Sequence, residues 1–157
     1  MSKKLSPDQT AAWYLIVAGM KVAEADGAIV DKELATLQKI MQGASTIGKS
    51  AFVRRVASLA ADGNTLDRNR EKDNRDLTQI ISELSENLNE LPNSDRMRYL
   101  GLLIVTVKEV ATSTGGGWFR KRSLNDSEVY AATGMISAVA GGLDPNFIID
   151  WVEANGY

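Results

Sequence analysis

Through most of this chain apolar residues recur three and four positions apart, the spacing of one buried helix face and not the alternation of a strand. Ser6-Pro7-Asp8-Gln9 is a helix start, with serine as cap, proline at the first helical position and glutamine three residues after the cap. The spacing predicts a helix to about Ala25 with Trp13, Val17, Met20 and Ala23 or Glu24 along one stripe, and Gly27 turning the chain after it. Asp31 is then expected to cap a second helix, carrying Leu34, Leu37, Ile40 and Met41 and ending at Gly43. A third covers residues 51–61 with Phe52, Val53, Val56, Leu59 and Ala60, closed by Gly63. From Asn64 to Asp76 the residues are mostly charged and hold no apolar period, which predicts an exposed, locally mobile loop or a solvated helix start.

The pattern resumes at Leu77, Ile80, Ile81, Leu84, Leu88 and Leu91, until Pro92 stops it. Ser94 is expected to cap a fifth helix bearing Met97, Leu100, Leu103, Ile104, Val107 and Val110. Its β-branched run at 104–107 would suit a strand, but no partner strand is legible elsewhere. A sixth helix is expected from Asp126, with Val129, Met135, Ile136, Val139 and Ala140, and Asp144-Pro145 opens a last one with Ile148, Ile149, Trp151 and Val152. Seven helices joined by short loops predict an all-α fold, a single domain over residues 1–157.

One pattern occurs twice. Val22-Ala23-Glu24-Ala25-Asp26-Gly27-Ala28-Ile29-Val30-Asp31-Lys32-Glu33 has a later counterpart in Val110-Ala111, the glycines 115–117 and Leu124-Asn125-Asp126-Ser127-Glu128. In both, an apolar helix ends, glycine turns the chain, and an apolar-x-Asp-x-Glu string begins another helix. The second junction is seven residues longer. Duplicated junctions predict two related helix-junction-helix halves, with Glu33 matching Glu128.

Composition narrows the chemistry. Of 157 residues 44% are hydrophobic, enough for one buried core. The chain has no cysteine, so disulfides, thiolate metal sites and cysteine nucleophiles are excluded. It has no histidine either, which removes the commonest general base and the usual ligand of zinc, copper or nickel. Any metal must be held by oxygen, which means a hard cation such as calcium, magnesium or manganese. A net charge of -2 gives no reason to expect nucleic-acid binding. The start, Met1 to Pro7, carries no signal-peptide pattern and predicts a cytoplasmic protein. The longest apolar run, Tyr99 to Val107, falls well short of the roughly 20 residues a membrane span requires.

Val22-Ala23-x-Ala25-Asp26-Gly27-x-Ile29-x-x-x-Glu33 resembles the junction of the tellurite-resistance TerB family, compact all-helical domains with two related halves. The stretch from Ala111 through the glycine triplet to Leu124-x-Asp126-x-Glu128 is similar to the longer glycine-rich junction of some TerB-like proteins. It departs from the pattern at Ser113-Thr114-Gly115, which leaves it without a counterpart of Asp26. The resemblance implies a bacterial or phage-borne cytoplasmic stress-response module that acts through a protein partner and binds a metal through acidic residues.

Asp26, Asp31 and Glu33 lie within eight residues around a turn, and Asp126 and Glu128 would join them if the two junctions lie side by side. These five carboxylates are the candidate metal ligands. A plainer reading gives Asp31 and Asp126 as caps, Glu33 and Glu128 as first-turn acids favoured by the helix dipole, and Gly27 as a helix stop. Asp62, Asn64 and Asp73 match three positions of a calcium loop, but Leu66 and Asp67 stand where a ligand and a glycine are needed. Trp118, Phe119, Arg120, Lys121 and Arg122 set two aromatics beside three cations, a candidate contact for a protein partner or, peripherally, the inner face of a membrane. Two further functions stay open: a metal-assisted hydrolase using the same five carboxylates, and a structural accessory protein in which they only cap helices.

Overall fold

A computed structural model describes residues 4–24, 31–112 and 134–157. The fold is all-helical, and no strand occurs among the described residues. The helices are α1 (Pro7–Glu24), α2 (Asp31–Ile47), α3 (Ala51–Ala61), α4 (Gly63–Glu71), α5 (Leu77–Glu90), α6 (Asn93–Thr112), α7 (described over residues 134–140) and α8 (Pro145–Asn155).

Side-chain caps set several boundaries, those at Ser6 and Asp144 as the sequence predicts and those at Ser50 and Asp76 in addition. Ser6 and Gln9 form a reciprocal capping box at α1, with the Gln9 amide donating to Ser6 Oγ at 3.1 Å and the Ser6 amide to Gln9 Oε1 at 3.0 Å. Ser50 Oγ accepts from the Val53 amide to start α3, and Asp144 accepts from the Asn146 amide to start α8. Asp76 and Gln79 form a second capping box at α5.

Other expectations are corrected. Gly43 does not end α2, which continues to Ile47 and stops before Gly48. A side chain at Gly48 would crowd the Ala44 carbonyl, whereas Gly43 has open space around it and is simply tolerated in the helix. Gly63 opens α4 and does not close α3. Asp31 is itself helical at the first position of α2, and Ser94 lies inside α6 behind Asn93, so neither holds the capping position expected of it.

The largest correction is α4, in the stretch expected to be an exposed loop or a solvated helix start: it is helical, and it is docked through two of its side chains. Leu66 is buried at 1% exposure, and Arg70 stacks over the Trp13 ring with its guanidinium carbon 4.9 Å from the centroid. One leucine and one cation–π contact dock a helix too polar to show an apolar period. Helical residues 63–71 also remove the calcium-loop candidate at Asp62, Asn64 and Asp73.

Helices α1 and α6 form the centre. The expected stripe of α1 is displaced: Trp13, Val17 and Met20 are half-buried, while Ala11, Tyr14, Leu15 and Ala18 are fully buried. Small residues allow α1 to be covered on several sides at once, by α3, α4, α5 and α6. On α6 the expected residues Met97, Leu100, Leu103, Ile104, Val107 and Val110 are all buried. Its β-branched run is helical because burial on several sides outweighs local propensity. Thr106, also buried, returns its hydroxyl to the Leu102 carbonyl at 2.7 Å.

Candidate functional site

Two contacts fix the direction of the central helices. The Tyr99 hydroxyl donates to the Ala11 carbonyl at 2.8 Å, and a Cβ placed on Gly19 would lie 3.6 Å from Thr106 Cγ2. Moving from Ala11 to Gly19 thus parallels moving from Tyr99 to Thr106, so α1 and α6 run side by side in the same sense. The same Cβ would lie 3.2 Å from Leu37 Cδ1, so α2 joins them at this level. At the far end of the α2–α3 hairpin the Phe52 ring lies 6.1 Å from Tyr99, which sets α2 antiparallel to α6.

Gly19, Leu37 and Thr106 are therefore one convergence point of three helices. Five residues of α1 lead from it to Glu24, six of α2 lead back to Asp31, and six of α6 lead on to Thr112. At 1.5 Å rise per residue each of these helix ends stands about 7–9 Å beyond that point, on the same side of the domain. The three ends that flank the two acidic junctions thus emerge together.

Of the expected ligands, Asp31 and Glu33 belong to the start of α2, at that end. Asp26, Asp126 and Glu128 lie outside the described residues, as do Trp118, Phe119, Arg120, Lys121 and Arg122. Among the described residues no group of three or more acidic side chains is placed to hold a metal ion. No helix among them is long and apolar enough to cross a membrane.

Below the same end the sequence reading missed an open groove of about 460 Å³ between α2 and α6, lined by Thr36, Lys39, Ile40, Val105, Glu109 and Tyr157. Burial, then the neighbouring Glu109 carboxylate, pushes the Tyr157 hydroxyl up. On the next face Lys108 and Glu153 border a smaller cavity of about 160 Å³ between α6 and α8, where burial lowers the Lys108 ammonium. Glu109 gave no signal in the sequence because it belongs to no repeated pattern.

The other polar constellation sits at the opposite end, between the N-terminal segment and the start of α5. The Asp73 side chain is fully buried and accepts from the Leu5 amide at 2.9 Å, the Arg75 amide at 3.0 Å and Arg75 Nη2 at 2.6 Å. Arg75 continues to Glu83 and to Thr10 Oγ1. The Arg75 guanidinium holds the Asp73 carboxyl well below the usual carboxylate range and also lowers Glu83. With both carboxylates occupied by one arginine, this cluster is a structural clasp for the chain's first turn.

No family model matches the chain, and comparisons with curated proteins and with solved structures give no match.

Proposed function

We propose that this chain is a non-enzymatic interaction module of the TerB-like, tellurite-resistance type. In this reading the acidic junctions form its working end and take a hard divalent cation through Asp26, Asp31, Glu33, Asp126 and Glu128. The observation that carries the reading is the convergence at Gly19, Leu37 and Thr106, because it brings the helix ends flanking both junctions to one side of the domain. The chain stretches that carry Asp26 and Asp126, 100 positions apart in the sequence, then start from neighbouring helix ends, Glu24 and Thr112. The absence of histidine and cysteine supports oxygen-only ligation and weighs against the usual nucleophile–base pairs. The aromatic and basic run Trp118 to Arg122 begins six positions after Thr112, the last residue of α6, and in this reading belongs to the same working end, where it meets the protein partner in a stress response.

The test is titration of the full chain with calcium, magnesium and manganese, followed by calorimetry. Binding weakened by Asp26→Asn and by Glu128→Gln alike supports one site shared by both junctions. Absence of binding at millimolar concentration, or binding unchanged when Asp26, Asp31 and Glu33 are all neutralised, would sink the cation reading.

A further inference from the structure

Tyr14 lies on the inner face of α1 at 0% exposure, and its hydroxyl donates to the Met135 carbonyl of α7 at 2.6 Å. The two residues are 121 positions apart. Burial pushes the Tyr14 hydroxyl far above its ordinary value, so it is a protonated donor at neutral pH. Five positions further along α7 the Arg96 guanidinium donates to the Ala140 carbonyl at 3.1 Å, and Gly141 with φ of 62° turns the chain away. The described part of the helix is thus tied twice, at Met135 to α1 and at Ala140 to α6.

The position of the Tyr14 contact in the chain gives it a second consequence. Tyr14 stands ten residues before Glu24, where α1 leads into the first acidic junction, and Met135 stands seven positions after Glu128, the last residue of the second. We propose that Tyr14 is a positioning residue whose hydroxyl latches α7 to α1 and so holds the return of the second junction in register with the helix that feeds the first. This rests on the reading of the junctions as one working end, but its physical core, the latch itself, does not.

Tyr99 supplies a matched control. It is equally buried, and its hydroxyl donates to the Ala11 carbonyl, joining α1 to α6 where that of Tyr14 joins α1 to α7. The experiment is amide hydrogen exchange and manganese titration on the full chain carrying Tyr14→Phe or Tyr99→Phe, each of which keeps its ring. In an α-helix the Met135 carbonyl pairs with the Val139 amide. Exchange at Ile136 to Ala140 should quicken about two- to tenfold in Tyr14→Phe, the range for one lost hydrogen bond, and stay unchanged in Tyr99→Phe. Manganese affinity should fall in the first variant and not in the second. Unchanged α7 exchange in Tyr14→Phe, or an equal change in both variants, overturns the latch. If the unaltered protein binds no manganese, the proposed function fails while the exchange comparison still decides the latch.

Discussion

Asp73 and Arg75, two residues apart between α4 and α5, form an ion pair whose carboxylate is fully buried and whose guanidinium is 13% exposed. Through it the Leu5 amide, Thr10 and Glu83 are held in one network, so the chain's N-terminal segment is fastened to the start of α5. Removing one partner of such a pair leaves the others buried without compensation. Asp73→Ala should therefore cost about 3 kcal/mol in urea unfolding. Glu83→Gln should cost under about 1 kcal/mol, because that carboxylate is 39% exposed and water replaces part of what it loses.

The same pair sets a pH dependence. The folded-state values of Asp73 and Glu83 both lie below their ordinary ones. A depressed carboxylate contributes stability that is present above its unfolded value of about 4 and is lost as the pH falls toward the folded one. Thermal melts should show the midpoint falling from about pH 4 downward, with a shallower slope in Asp73→Asn. An identical slope in that variant would remove Asp73 from the account.

At Gly101 a Cβ would overlap the Val152 side chain, which marks a close approach of α6 and α8. Gly101→Ala should destabilise by about 1–3 kcal/mol through overpacking, although alanine is the better helix former. Adding Val152→Ala should recover part of that loss, so the double-mutant cycle should show coupling between the two positions.

Leu66 tests the helix that replaced an expected loop. Leu66→Ala should cost about 2–4 kcal/mol, the range for truncating a buried leucine, and the amides of α4 should be protected from exchange in the unaltered protein. A change within about 0.5 kcal/mol would instead match a solvated segment.

The contrast between α4 and α5 shows where the residues were readable. In α5 the leucines and isoleucines keep a helical period, and Ile80, Leu84 and Leu88 are buried as that period requires. In α4 the apolar content is a single leucine, and docking depends on Arg70 meeting Trp13, residues 57 positions apart. Local spacing carries no record of such a partner. Likewise Trp13, Val17 and Met20 were the obvious stripe of α1, yet the fully buried face runs through Ala11, Tyr14, Leu15 and Ala18, where two large side chains fill the core between alanines that let neighbouring helices come close.

By itself the sequence determined the helical class, most helix positions, the caps at Ser6 and Asp144, and the restriction of any metal to oxygen ligands. These follow from short-range chemistry: period, capping and the presence or absence of a side-chain type. Only the tertiary structure decided that α1 and α6 run in parallel, that Gly19, Leu37 and Thr106 meet, and that Tyr14 reaches Met135. These relations join residues 18 to 121 positions apart, and their energy comes from packing and buried hydrogen bonds that exist only once the chain has closed on itself.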